Sequence, residues 1–332
     1  MLFSIRPLRD EEYEAAAALC GFADPGHGRT ADGWRREDQG AYNSVGEVRR
    51  WAAVGGAGGI VGYAALWRVR DGKFRFDALV HPDARGRGIG GALFGAVLDA
   101  AEEAGAATLQ GRAWDDDPGS LAFLRRRGFH EVHRMVELRL DLAAADLSPF
   151  AALPERLAAE GFRFRTFEQA QAEDADFWAK LTALQNAAAA DWPDPDPGGP
   201  FVAMSEEKAR GFFAGFRALP GGFFVADEGG RYAGYSGAGL DEHAPAGHAG
   251  SGPTAVHPAY RGRGLATALK YLGLAEARRQ GYTVAVSQSA NPAMVRVNEK
   301  LGFRRDRAEV RLVLPVASGS RAEERRAALA SA

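Results

Sequence analysis

The sequence predicts two α/β (α+β) domains in tandem, and three observations carry that prediction. The chain has 332 residues, too long for one small domain and about right for two. Two stretches share one plan, "VHPDARGRGIG" from Val80 and "VHPAYRGRGLA" from Val256, 176 positions apart. Downstream, "DPGSLAFLRRRGF" from Asp117 matches "NPAMVRVNEKLGF" from Asn291 at an offset of 174. Two landmarks at nearly one offset imply duplication of a whole domain, with a period far too long for a solenoid.

The elements of the first half follow in order. "LFSIRPL" alternates as a strand, and "DEEYEAAAALC" has the acidic start of a helix. Gly21 to Gly33 reads as a loop rich in Gly, Asp and Pro. "VRRWAAV" and "GIVGYAALWRV" are strands joined by a glycine-rich turn, and "KFRFDALV" is the next strand. The glycine loop opens a helix from Ile89 to Ala104. "ATLQGRAW" is a strand, "GSLAFLRRRG" a short helix closed by Gly128, and "HEVHRMVELRLDL" supplies closing strands.

The second half repeats the order. "FRFRTF" is a strand, and "DADFWAKLTALQNAAAA" and "SEEKARGFFAGF" are helices. "GGFFVADEGGRYAGYSGAGL" is a hairpin turning at Gly229-Gly230, and "AGSGPTAV" runs into the second glycine loop. "LATALKYLGLAEARRQG" is a helix and "YTVAVSQ" a strand. The boundaries are expected at 1–145 for the first domain, 146–160 for a linker with a short helix, 161–316 for the second domain and 317–332 for a flexible tail.

Composition excludes several classes. The formal net charge of -2, from 41 basic and 43 acidic residues, lacks the basic excess of a protein that lives on nucleic acid. The one cysteine, Cys20, allows no internal disulfide, which fits a reducing cytoplasm. It reads as a small buried residue of the first helix. The N-terminal stretch has no apolar core of a signal peptide, and no run is long enough to span a membrane.

Each glycine loop sits between a strand and a helix. A helix N-terminus leaves N–H groups unpaired and carries partial positive charge. Glycines at positive φ let successive N–H groups converge on an anion, and Arg85, Arg87, Arg261 and Arg263 add positive potential. That combination points to a pyrophosphate. Gly86, Gly88 and Gly91 match G-x-G-x-x-G, the fingerprint of a nicotinamide-dependent oxidoreductase. The second loop has Thr267 in place of the third glycine, and position 111 is glycine where a ribose-binding acid is due. Neither loop ends in Gly-Lys-Ser/Thr, so neither is a P-loop.

The fuller pattern V-x-P-x-x-R-G-x-G-[IL]-[GA] resembles the acetyl-CoA loop of the GNAT N-acetyltransferase superfamily. It falls on Val80, Pro82, Arg85, Gly86, Gly88, Ile89 and Gly90, and again on Val256, Pro258, Arg261, Gly262, Gly264, Leu265 and Ala266. "RRRGF" and "EKLGF" resemble the family's second CoA-contacting segment. The resemblance implies two GNAT-like domains, each a mixed, mostly antiparallel twisted sheet flanked by helices. It implies acetyl-CoA, or another acyl-CoA, as co-substrate with no metal. The pyrophosphate would sit on the N–H groups of Arg85–Gly90 and Arg261–Ala266, Arg87 and Arg263 included. Backbone groups of Leu79 and Val80, and of Ala255 and Val256, would pair with the pantetheine arm. One N–H there would polarise the thioester carbonyl while a primary amine of a small molecule or peptide attacks.

The family's asparagine at the end of the preceding strand falls on Asn291, with Asp117 in the first half. Its proton-donating tyrosine, four residues before the Gly of the x-Gly-Phe end, falls on Leu124 and Asn298, and neither can act as an acid. Asn298 is expected near the CoA arm, with a helix-surface or capping role as the alternative. Asp77, on the strand before the first loop, is the expected base, with a strand ion pair as the competing role. His81 and His257 hold matched loop positions. "DWPDPDPGGP" (191–200) is an acidic, proline-stiffened loop in the region where the family forms its acceptor site, which implies attraction of a cationic amine, with a rigid surface connection as the competing role. The competing function is a non-catalytic CoA-binding or scaffold protein with one or both domains degenerate. A tandem chain of this kind would be a monomer with an internal pseudo-dimer or a homodimer.

Overall fold

The computed structural model describes residues 3–23, 30–38, 48–56, 58–189, 203–240 and 245–316. In chain order these form β1 (Phe3–Pro7), α1 (Tyr13–Ala23), α2 (Ala31–Asp38), β2 (Val48–Gly55), β3 (Ile60–Arg70), β4 (Lys73–Val80), α3 (Ile89–Glu103), β5 (Thr108–Trp114) and α4 (Pro118–Arg126). Next come β6 (His130–Asp141), α5 (Leu153–Ala159), β7 (Phe162–Thr166), α6 (Phe167–Glu173), α7 (Phe177–Ala189), α8 (Glu206–Gly215), β8 (Ala218–Glu228) and β9 (Arg231–Gly239). The last are β10 (His248–Ser251), β11 (Ala255–Val256), α9 (Leu265–Arg279), β12 (Val284–Ser289), α10 (Pro292–Lys300) and β13 (Arg304–Pro315).

The chain forms two compact units, Met1–His133 with Val310–Ala332, and Arg134–Glu309. In unit 1 the strands run β1-β2-β3-β4-β5-β13, and in unit 2 β6-β12-β10-β9-β8-β7, with β11 on β9. From β1 to β5 and from β6 through β12 to β7 the pairings are antiparallel except for β4–β5 and β10–β12, which are parallel. The mixed, mostly antiparallel α/β architecture therefore holds in each unit.

The division differs from the boundaries at 145 and 161 by two strands. Leu138 and Leu140 of β6 pack into the core of unit 2 with Leu274, Leu301 and Phe303. Val310, Leu312 and Leu314 of β13 pack into the core of unit 1 with Phe76, Leu93 and Phe129. Each strand alternates apolar and polar residues, so its periodicity is the same whichever sheet receives it.

In α3, Ile89, Leu93, Phe94, Val97, Leu98 and Ala101 are buried, a single face at helical spacing. Leu265, Ala268, Leu269, Leu274 and Ala277 do the same in α9. Gly62 on β3 and Gly234 on β9 make room for those helices. A Cβ on Gly62 would meet Leu93 at 3.0 Å, and one on Gly234 would meet Leu269 at 3.2 Å. The β8–β9 hairpin turns at Gly229 and Gly230, at φ 59° and 85°, as the sequence requires.

Two local expectations change. The loop placed at Gly21–Gly33 is helical at both ends, because α1 continues to Ala23 and α2 begins at Ala31, and residues 24–29 lie outside the described ones. The Thr30 hydroxyl accepts from Gly33 N at 3.0 Å and Trp34 is buried, which holds the short helix in place. The sequence reading also omitted α6, although Thr166 and Gln169 cap it reciprocally. Cys20 is buried in α1. Among the described residues no helix is long and apolar enough to cross a membrane.

Candidate active site

The two glycine loops have the same geometry. His81 Nδ1 accepts from Asp83 N at 3.3 Å and starts a single 3-10 turn, Pro82–Ala84. His257 Nδ1 accepts from Ala259 N at 3.2 Å and starts Pro258–Tyr260. Arg85 Nε donates to Val80 O at 3.2 Å, and Arg261 Nε to Val256 O at 3.2 Å. Gly86 and Gly88 have φ of 72° and 82°, Gly262 and Gly264 of 77° and 91°, just ahead of α3 and α9. A Cβ on Gly86, Gly88 or Gly262 would meet nothing within 4 Å. The glycines are needed for φ, and since Arg85 N and Arg261 N already donate to Pro82 O at 3.2 Å and Pro258 O at 3.3 Å, each nest offers an anion the N–H groups from its first glycine onward rather than from the arginine.

The second nest has extra neighbours from α5: a Cβ on Gly264 would lie 3.6 Å from Leu153 and 3.7 Å from Arg156. Arg263 turns aside. It reaches Glu228 at 3.3 Å and Glu160 at 3.2 Å, with its guanidinium 4.4 Å from the Phe162 ring. Its charge is already matched by two carboxylates.

Both x-Gly-Phe segments end their helices in one way. Gly128 and Gly302 have φ of 85° and 96°. Phe129 N donates to Leu124 O at 3.3 Å and Phe303 N to Asn298 O at 3.1 Å, a Schellman closure in each unit. Asp117 and Asn291 are matched helix N-caps, accepting from Ser120 N at 3.0 Å and from Ala293 N at 2.9 Å.

Beside each nest the sheet forks. In unit 1 the β4–β5 pairing runs from Lys73↔Thr108 to Arg75↔Gln110 and stops. In unit 2 the β10–β12 pairing runs from His248↔Val284 to Gly250↔Val286 and stops. Beyond those points Leu79 and Val80 keep β3 as partner, and Ala255 and Val256 keep β9, with the other backbone edge unpaired by the sheet.

The forks differ. Strand β4 faces β3 in continuous register from Arg75 to Val80. In unit 2, Ser251 faces Ala238 and Ala255 faces Tyr235, so three residues (252–254) stand opposite two (236–237). This is a β-bulge, pinned by Gly252 N donating to Gly237 O at 2.7 Å. The bulge turns backbone groups out of the ladder at the fork of unit 2 alone. In unit 1 the fork is spanned instead by an ion pair, Arg112 Nε–Asp77 Oδ1 at 3.2 Å. Asp77 thus pairs with Arg112 across the fork, and the Arg75 guanidinium lies 4.9 Å from the Trp67 ring.

Residues 181–303 match the model of the acetyltransferase (GNAT) family, and residues 48–131 that of the acetyltransferase (GNAT) domain. The mycothiol acetyltransferase of Thermobispora bispora is 32% identical over 69% of this chain and 72% of its own. That of Geodermatophilus obscurus is 31% identical over 78% of this chain and 80% of its own. The chain belongs to the GNAT acetyltransferase family. A tandem GNAT protein from the clavulanic acid biosynthesis pathway shares the fold, with TM-score 0.71 at 23% identity over 96% of this chain and all (100%) of that one. A GCN5-related N-acetyltransferase from Sphaerobacter thermophilus has TM-score 0.68 at 19% identity over 96% of both chains.

This tandem GNAT protein is an N-acetyltransferase that uses acetyl-CoA, and the scaffold alternative is not favoured. Among its described residues no group of three or more His, Cys, Asp or Glu could hold a metal. The acidic loop 191–200 and Asp241, Glu242 and His243 lie outside the described residues.

The face of the unit 1 sheet turned toward α1 and α2 is filled. Arg50 lies there almost fully buried, donating to Tyr63 Oη at 2.7 Å and to Asp38 at 2.8 Å, 5.0 Å from the Trp34 ring. In unit 2 the matched tyrosine, Tyr235, donates to Gln185.

Sequence reading missed Lys270, buried on α9, with Nζ 2.6 Å from Ser251 Oγ. Burial pushes its ammonium down to about 7. A lysine inside "LATALKYLGL", where the first unit has "IGGALFGAVL", was the signal. His257 is lowered by burial and then by Arg231 and Arg261.

Proposed function

We propose that acetyl transfer takes place in unit 2, onto the primary amine of a small molecule, and that unit 1 binds CoA without turning it over. The observation that carries this reading is the bulge at 252–254, which only the fork of unit 2 has. The pyrophosphate would lie on the N–H groups from Gly262 to Ala266, because Arg261 N already donates to Pro258 O at 3.3 Å. The pantetheine arm would follow the open edge of Ala255 and Val256, with Asn298 beside it. A backbone N–H released at the bulge would face the thioester oxygen as charge develops on it. The amine would approach from the α7–α8 face.

Unit 1 keeps a nest from Gly86 to Gly90 and an open edge at Leu79 and Val80, so it retains the means to hold CoA. Its Asp77–Arg112 bridge and buried Arg50 occupy the ground an acceptor would need. The curated relatives are named for mycothiol, which supports a small-molecule acceptor. The mycothiol-related amine for which they are named is the first compound to test.

Purified protein, acetyl-CoA and a panel of amines headed by that compound would be followed by mass spectrometry for gain of one acetyl group. Transfer should survive Gly88→Asp and fall at least a hundredfold in Gly264→Asp. The reverse pattern would move catalysis to unit 1.

A further inference from the structure

Four mutually adjacent positions in unit 1 carry no polar side chain: Phe76, Phe94, Gly111 and Leu124. The Phe76 and Phe94 rings are 5.6 Å apart. A Cβ on Gly111 would lie 2.9 Å from Phe76 and 3.2 Å from Leu124. The matched positions of unit 2 hold Ser251, Lys270, Ser287 and Asn298, and they bond in pairs. Lys270 Nζ donates to Ser251 Oγ at 2.6 Å, and Asn298 Nδ2 to Ser287 Oγ at 3.1 Å. Facing alanines, Ala64 and Ala78, are likewise replaced by Ser236 and Thr254, whose hydroxyls are 2.7 Å apart. Lys270 is 3% exposed and Asn298 0%, and Asn298 Oδ1 has no hydrogen-bond partner among the described residues.

Packing does not require this exchange, since unit 1 builds the same layer from apolar side chains. Burying an ammonium costs several kcal/mol unless an anion compensates it. No carboxylate among the described residues pairs with Lys270, and burial alone holds its ammonium near 7. The charged groups on the surrounding elements are committed elsewhere. Glu276 pairs with Arg279 on α9, Glu299 of α10 with Arg305, and Arg263 with Glu160 and Glu228. Glu137 of β6, beside β12, faces Gln288, Arg139 and Arg307. A costly polar cluster placed as a block under one fork calls for a function.

Its position specifies which one. Ser251 is the residue after the last β10–β12 pair, at the apex of the fork. Val256, beside the nest, is five residues on, but the bulge makes the run span the four β9 steps from Ala238 to Gly234, roughly 13 Å. The glycines of the nest lie further on, so a phosphopantetheine arm laid along this edge from a pyrophosphate in the nest leads the CoA sulfur toward Ser251. We propose that Ser251 gives its hydroxyl proton to the departing CoA sulfur and that Lys270 resupplies it. The inference rests on acetyl-CoA turning over in unit 2. The amine nitrogen bonds to the acetyl carbon, the carbon–sulfur bond breaks, and its electron pair stays on sulfur. Sulfur takes the Ser251 proton, Ser251 takes one from the Lys270 ammonium, and the proton lost by the attacking amine returns through solvent to Lys270. Ser251 is the catalytic group and Lys270 its proton source, in place of the acid that Asn298 cannot supply.

The test is the ultraviolet titration of the CoA thiol bound to wild type, Lys270→Met and Ser251→Ala, with calorimetry of CoA and acetyl-CoA on each. In wild type the bound thiol and the Lys270 ammonium should titrate as a pair whose first proton leaves near pH 7, so part of the thiolate signal should appear at least about one pH unit below free CoA. Both variants should bind acetyl-CoA within threefold of wild type. The ionisation shift should vanish in Lys270→Met and shrink in Ser251→Ala, with transfer rates about 100-fold lower. Equal titration in all three proteins, with binding intact, overturns the proposal and leaves the CoA site standing. Absence of CoA binding to wild type overturns the function assigned to unit 2 and this role with it.

Discussion

Asp77 and Arg112 reach across the fork of unit 1 in a two-pronged ion pair, with Nε–Oδ1 at 3.2 Å and NH2–Oδ2 at 3.3 Å. A carboxylate held on both oxygens is poorly placed to take a proton from an amine. Asp77→Asn should therefore leave acetyl transfer within about twofold of wild type. Its stability cost should be about 0.5–1 kcal/mol in urea, because Arg112 is 41% exposed. A hundredfold loss of transfer would restore Asp77 as the base.

Two nests of one geometry should bind two equivalents of CoA. An aspartate at Gly88 or Gly264 puts a negative charge in the nest and an L side chain at φ 82° or 91°. The backbone strain alone is about 1–2 kcal/mol. Calorimetry should show one equivalent lost in each single variant and both lost in the double variant.

Arg165 and Asp227 form a buried pair in unit 2 at 2.8 Å, each side chain 8% exposed. Arg165→Met strands a buried carboxylate and should cost about 3–5 kcal/mol. Arg165→Met with Asp227→Leu should recover most of that loss in the same denaturation experiment. An additive double variant would mean that the pair is not coupled.

His257 is a helix cap only while its Nδ1 is unprotonated, and its folded value lies below the ordinary 6.5. The unfolded chain then binds the proton more readily than the folded one. The cap's contribution is fully present above about pH 6.5 and drains away as pH falls toward the lowered folded value. His257→Asn, which keeps an acceptor that does not titrate, should flatten the stability curve between pH 5 and 6.5. His248, lowered by burial and then by Arg139, should leave a residual slope.

The parts legible in the sequence were those fixed by local chemistry. The nests follow from glycines that must sit at positive φ, and the x-Gly-Phe ends from Gly128 and Gly302 closing their helices. The hairpin at Gly229-Gly230 is equally local. The bulge at 252–254 was hidden, because one extra residue in "AGSGPTAV" shows only when β9 supplies the ruler. Lys270 was hidden for a related reason. Its significance lies in Ser251, which the fold brings beside it from 19 positions away. The partner of Asp77 was invisible too, since Arg112 stands 35 residues further on in a parallel strand.

The exchange of closing strands sets an order in time. Unit 2 has all its strands once Glu309 has been made, whereas unit 1 waits for Val310 and the residues after it. At ~5–20 residues per second, the stretch between His133 and Val310 takes on the order of ten seconds or more to synthesise. Through that interval β5 emerges with its outer edge bare and the Phe76–Phe129 core unroofed. The half of the protein that is translated first is thus the last to be finished, and a chain that ends at Glu309 carries every strand of unit 2 tethered to an unfinished unit 1.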